Sequence, residues 1–132
     1  MKVLLDTHVW LWALQEPNQL GKKTQRLLEN VTTELWLSPI SIWEAALLVE
    51  RKRLRLKRPF PKWLDESLSQ WPVQEAVLTH AVARASRDIR VPHEDPADRF
   101  IAATAAIYDL TLLTADERLL TGRGYEHLSA EL

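Results

Sequence analysis

Short unbroken apolar runs alternate along the chain with longer stretches whose apolar residues recur every three or four positions. Val3-Leu4-Leu5, ended by Asp6, reads as a buried strand. Thr7 to Leu14 follows as a helix that is apolar on most sides (Val9, Trp10, Leu11, Trp12, Leu14) and therefore largely buried. After a loop marked by Pro17 and Gly21, the residues Leu20, Thr24, Leu27, Leu28 and Val31 step at helical spacing. Leu35-Trp36-Leu37 predicts a second strand, stopped by Ser38-Pro39, where the proline suits a helix start. The next helix spans about Ile40 to Arg51, and Arg53 to Lys57 alternates with period two, as in a short edge strand or extended arm. Phe60, Trp63, Leu64, Ser67, Leu68 and Trp71 mark an amphipathic helix closed by Pro72; Leu78, Val82, Ala85 and Ile89 mark another. Asp95-Pro96-Ala97-Asp98 has the form of a helix opening, with an Asp cap, proline in the first turn and a further acid. That helix continues through Phe100, Ile101, Ala105 and Tyr108. Thr111 to Thr114 predicts a third strand, a short helix starts near Asp116, and Tyr125 to Leu128 forms a final strand.

Helices alternating with short, all-apolar strands imply βαβ crossovers, so the expected fold is α/β: a mostly parallel sheet covered on both faces, a three-layer α/β/α sandwich. There is no internal repeat or linker-like tract, which makes residues 1–132 one domain. At 46% hydrophobic and 27% charged residues, this length buries a real core and excludes disorder as the main state. The 17 basic residues against 18 acidic ones give a net charge of −1, which excludes a polyanion-binding surface of uniformly basic character. Contact with nucleic acid then requires a local patch or bound cations. The absence of cysteine removes disulfides, thiolate metal sites and a cysteine nucleophile. Asp6 interrupts the apolar run where a signal peptide would continue, and no membrane-length apolar run follows, so the expectation is a cytoplasmic protein with no membrane partner.

The acids acquire meaning from this layout. In a doubly wound sheet ligands sit beyond the carboxyl ends of the strands, where the N-termini of the antiparallel helices also lie. Asp6 follows the first strand, Glu44 lies about one turn into the helix after the second, Asp98 opens the helix before the third, and Asp116 follows the third. Four acids from four segments thus meet at one sheet edge. Singly, Asp6 and Asp116 also suit helix caps, Asp98 suits a first-turn charge, and Glu44 suits a surface face of its helix, though it interrupts apolar neighbours. Together, they repel unless they take up protons or a cation. Oxygen-only ligation favours Mg2+ or Mn2+ over zinc, and such ions serve phosphodiester hydrolysis.

Leu4-Leu5-Asp6-Thr7, Ser38-Pro39-Ile40-Ser41-Ile42-Trp43-Glu44, Asp95-Pro96-Ala97-Asp98-Arg99-Phe100-Ile101-Ala102-Ala103 and Leu113-Thr114-Ala115-Asp116 together resemble the PIN domain. Within it, they look most like the VapC-type toxins of bacterial type II toxin–antitoxin pairs. Each motif is weak alone; in order, across essentially the whole chain, they are specific. The resemblance implies an Mg2+- or Mn2+-dependent endoribonuclease held inactive by a VapB-like antitoxin, with catalytic and metal-binding acids at Asp6, Glu44, Asp98 and Asp116. It also implies a homodimer and an apolar antitoxin-binding groove. Asp95 stands as a further site residue or as the helix cap alone, and Thr114 either orients a water or carboxylate or caps the next helix. Arg99 either steadies the acids, touches phosphate, or forms a surface ion pair. Ala97 stands where many relatives carry a bulkier apolar residue, which removes no ligand.

Six cations crowd the eight residues from 51 to 58: Arg51, Lys52, Arg53, Arg55, Lys57 and Arg58. They suit an RNA or antitoxin contact, or a solvated segment with Leu54 and Leu56 packed beneath. His8 and His93 stand near acidic segments, and a lone histidine is more often structural. Trp10, Trp12 and Trp43 are expected in core helices, whereas Trp36, Trp63 and Trp71 suit either core or interface. Rival readings are a nucleotide-binding α/β domain, a non-catalytic protein- or RNA-binding module, and a PIN nuclease of ordinary RNA turnover. The first is disfavoured because Gly21, Gly122 and Gly124 build no phosphate-binding loop after a strand.

Overall fold

The computed structural model describes residues 1–92 and 94–132; His93 therefore lies outside the described residues. In chain order the elements are β1 (Lys2–Leu5), α1 (Thr7–Gln15), a 3-10 turn (Pro17–Gln19), α2 (Lys22–Glu29), β2 (Glu34–Leu37) and α3 (Pro39–Glu50). There follow α4 (Phe60–Gln70), β3 (Gln74–Glu75), α5 (His80–Ala85), α6 (Pro96–Tyr108), β4 (Thr111–Thr114), α7 (Glu117–Leu120) and β5 (Glu126–Ser129). Among the described residues five strands form one sheet in the order β3-β2-β1-β4-β5, and every pairing between these strands is parallel.

Because helices cover both faces, successive strand residues are buried on alternate sides. Val3, Leu5, Leu35, Leu37 and Leu113 pack in one apolar cluster with Val9, Trp10 and Leu11 of α1. Leu4, Trp36 and Leu112 pack in the other, against Ile101, Ala102 and Ala105 of α6. Both sides of β1 are thus equally dry, which explains why its sequence is apolar without alternation. The chain leaves β1 toward β2 and β3, then returns to the other side of β1 for β4 and β5. The carboxyl ends of β1 and β4 consequently flank the switch point of the sheet, where α/β folds place their ligands.

Several expected elements differ from the observed ones. Residues 51–59 form an irregular loop instead of an edge strand. Its period-two alternation comes from Leu54 and Leu56 dipping inward, half-buried, while the cations between them stay exposed. Helix α2 stops at Glu29, so Val31, the last of its apolar steps, is 98% exposed. Helix α5 spans only His80–Ala85; Leu78 precedes it and Ile89 follows it in irregular chain. The two-residue strand β3 carried no pattern at all. Trp43, expected in the core, is 54% exposed. Among the described residues no helix is long and apolar enough to cross a membrane.

Candidate active site

Asp6 ends β1 and opens α1. Its Oδ1 accepts the Thr7 N–H at 2.8 Å, its Oδ2 accepts the Thr114 hydroxyl at 2.7 Å, and its own N–H donates to the Leu113 carbonyl at 3.0 Å. The side chain is held from the start of α1 and the end of β4 at once, and the residue is only 7% exposed. Thr114 Oγ in turn accepts the Asp116 N–H at 3.0 Å, so one hydroxyl ties the ends of β1 and β4 together.

Glu44 sits on the second turn of α3, which Ser38 caps by accepting the Ile40 N–H. Its Oε1 accepts the Thr7 hydroxyl at 2.6 Å. Thr7 Oγ also lies 2.9 Å from the fully buried Ser41 Oγ. One hydroxyl hydrogen cannot serve both, so with Thr7 donating to the carboxylate, Ser41 donates to Thr7. Asp95 caps α6, with Oδ1 accepting the N–H groups of Ala97 and Asp98 at 2.9 and 3.3 Å. Asp98, in the first turn of α6, is 8% exposed. Asp116 caps α7 by accepting the Arg118 N–H at 2.9 Å, and its two oxygens each lie 3.2 Å from the Arg118 guanidinium.

These side chains line one cavity of about 500 Å³: Asp6, Glu44, Asp95, Asp98 and Asp116, with His8 and Trp12 of α1 on one wall and Glu117 and Arg118 on another. Capping and convergence are not alternatives here. Asp6, Asp95 and Asp116 cap helices whose N-termini all point at the cavity, and that positive end of each helix partly offsets the crowding of negative charge.

The offset is incomplete. Burial raises the pKa of Asp6, opposed by the bonds from Thr114 and Thr7 and by His8, and reinforced by Asp116. Burial also raises Glu44, opposed by the Thr7 hydroxyl and reinforced by Asp6 and Asp95. Asp98 is pushed from an ordinary 3.8 up to about 8, first by burial and then by the charges of Asp6, Asp95, Glu44 and Asp116. A ring of this kind cannot be fully ionised at neutral pH without a counter-charge. Its donors are carboxylate oxygens, the set preferred by Mg2+ and Mn2+. As they stand, no three of the described His, Asp and Glu side chains form a group ready to hold an ion. The donor chemistry nonetheless fits, since Mg2+ keeps several of its waters and binds through one or two carboxylates at a time.

Three residues add to or depart from the expected constellation. Arg99 is buried, not a surface ion-pair partner. Its Nε donates to the Ser86 carbonyl at 2.9 Å and its Nη2 to those of Arg87 and Ile89 at 3.3 and 2.9 Å, which pins the chain after α5 onto α6. The Thr7 and Ser41 hydroxyls went unsingled in sequence, although Thr7 adjoins Asp6 and Ser41 precedes Glu44 by three residues on one helix face. The basic loop lies apart from the acids: Arg51 follows Glu44 by seven residues, about 10 Å along the helix axis. Of its cations, Arg58 pairs with Glu66 of α4.

Comparison with known proteins agrees with the fold. The PIN domain family matches residues 3–122. Ribonuclease VapC22 of Mycobacterium tuberculosis (strain ATCC 25618 / H37Rv) is 36% identical over 124 residues, covering 92% of each chain. Among solved structures, VapBC2 from Rickettsia felis bound to a DNA fragment from its promoter superposes with a TM-score of 0.70 at 17% identity, over 98% of both chains. DNA-bound VapBC from Salmonella typhimurium superposes at 0.66 with 16% identity, again over 98% of both. At those identities the structural matches speak for the fold.

Proposed function

The chain belongs to the PIN domain family, and from that premise we propose that it is an Mg2+- or Mn2+-dependent endoribonuclease, acting over residues 1–132 as a single domain and serving as the toxin of a type II toxin–antitoxin pair. The observation that carries the reading is the ring of Asp6, Glu44, Asp98 and Asp116 around one cavity at the switch point of the sheet. The 36% identity to a protein named a ribonuclease, and the fold shared with VapBC complexes, support the same reading.

On this reading Asp6, Glu44, Asp98 and Asp116 hold the ion, with Asp95 beside them. A divalent ion bound there supplies positive charge that draws in the scissile phosphate and stabilises the charge that builds on it during hydrolysis. The chain's own contribution is orientation. Thr114 fixes Asp6, Thr7 fixes Glu44, and Ser41 fixes Thr7, so the carboxylates present set oxygens to the cavity. Water attacks the phosphorus in line with the leaving oxygen, and a ring carboxylate or bulk water takes its proton. Arg118 covers Asp116 from the solvent side and is placed to exchange that carboxylate for a phosphate oxygen.

The exposed cations Arg51, Lys52, Arg53, Arg55, Lys57 and Arg58 supply the contact to RNA backbone or to an acidic antitoxin segment. The partner protein is a VapB-like antitoxin, and a second copy of this chain completes the assembly; the half-exposed Trp43 suits such a protein contact.

The test is cleavage of single-stranded RNA by purified protein with Mg2+ or Mn2+, repeated with EDTA and with Asp6→Asn and Asp98→Asn. Cleavage should vanish with EDTA and fall on the order of 100-fold or more in both variants, with their circular dichroism unchanged. Wild-type protein that binds RNA but never cuts it would favour a non-catalytic module instead.

A further inference from the structure

The wall of the cavity contributed by α1 is chemically unlike the rest. His8 and Trp12 are four residues apart and so share one face of the helix that Asp6 caps. Both line the cavity whose other named groups are mainly carboxylates. Their ring centroids are 5.9 Å apart with planes tilted by 54°, so they are not stacked face to face on one another. Trp12 is half-buried and packs on the apolar core by one side, which fixes it, while His8 is exposed. An apolar, anchored indole beside an acid ring is of no use to an ion or a phosphate. It matches the remaining part of a nucleotide, the base.

We propose that Trp12, flanked by His8, is the platform on which a nucleobase next to the scissile phosphate stacks; the proposal rests on the nuclease reading above. Aromatic stacking on a base is worth about 1–3 kcal/mol and tolerates any base, because every base has a π-face. It also requires an unpaired base, free to leave its neighbours, so the site selects single-stranded RNA over a duplex. The Trp12 ring binds and positions; the carboxylates across the cavity remain the reacting machinery.

Steady-state cleavage of a single-stranded RNA is compared for wild type, Trp12→Ala and Trp12→Phe. Trp12→Ala should raise KM by about 5- to 150-fold with kcat little changed, and Trp12→Phe should recover most of the loss. The cleavage position is then mapped, and oligonucleotides lacking the base on either side of it are cut by wild type and by Trp12→Ala. One abasic substrate should cost wild type the same factor as the mutation, and cost Trp12→Ala nothing further. This comparison on wild-type protein holds even where Trp12→Ala fails to fold. Anisotropy of a labelled RNA on the non-cleaving Asp98→Asn protein should weaken by the same factor when Trp12→Ala is added. If wild type cuts RNA but Trp12→Ala matches it, or abasic substrates are cut as well as intact ones, stacking is overturned and the nuclease reading stands. If wild type cuts no RNA, both fall.

Discussion

Asp6 carries three duties at once: it caps α1, receives the Thr114 hydroxyl from the neighbouring strand, and faces the other acids of the cavity. Thr114 deserves equal weight, because its single oxygen donates to Asp6 and accepts from Asp116. Thr114→Val keeps the shape and removes both bonds. We expect metal affinity to fall by about 10- to 100-fold, read by Mn2+ titration calorimetry, and stability to fall by about 1–3 kcal/mol in urea, since buried polar groups lose their partner. Asp98 sets a pH dependence whose sign follows from its raised pKa. In the unfolded chain it ionises near 3.8, whereas in the folded protein it holds its proton up to about 8. Between those values the folded state binds more protons, so its stability is full below about pH 4 and declines as the pH rises toward 8. Melting temperature in EDTA should therefore drop across that window, and Mn2+ should remove most of the drop.

The helices show how one local rule can serve two ends. Three acids that any capping rule would place at helix starts are the same acids that crowd the cavity, because helix starts and strand ends share one edge of the sheet. At the far end of α3, the Lys52 N–H bonds to the Val49 carbonyl and the Arg53 N–H to that of Leu48, the paired bonds of a helix terminated by a left-handed residue. Lys52 occupies that position at φ 58°. Glycine removes the steric cost there, so Lys52→Gly should stabilise the protein by about 0.5–1 kcal/mol in denaturant unfolding. At this scale the sequence was most legible where period and punctuation agreed. Pro39 and Asp95-Pro96 marked two helix starts to within a residue, and three apolar runs marked β1, β2 and β4. It was least legible where tertiary packing decided: β3 has two residues and exists only as a partner for β2, and the 51–58 alternation reflects two leucines held down by neighbours, with no sheet beside them. The Arg99 bonds to Ser86, Arg87 and Ile89 were beyond reach for the same reason, since nothing in the local pattern says where a loop ten residues upstream will lie.

For the molecule as a whole, a net charge of −1 conceals two separated features, an acidic cavity at the carboxyl edge of the sheet and a basic loop beyond the end of α3. The four convergent acids were readable from topology alone, because a parallel sheet admits only one edge where strand ends and helix starts coincide. Their burial, the hydroxyls that hold them and the aromatic wall beside them needed the folded chain. The function proposed above makes this acid ring a divalent-cation site that exchanges protons for metal. It is tested most directly by titrating Mn2+ into the protein by calorimetry at pH 7, in two buffers of different ionisation enthalpy, so that the protons released can be counted. Binding should release protons at pH 7, because Asp98 is still largely protonated there, with the release fading toward pH 9 and reduced in Asp98→Asn. Absence of Mn2+ binding, or binding that Asp6→Asn and Asp98→Asn leave untouched, would contradict it.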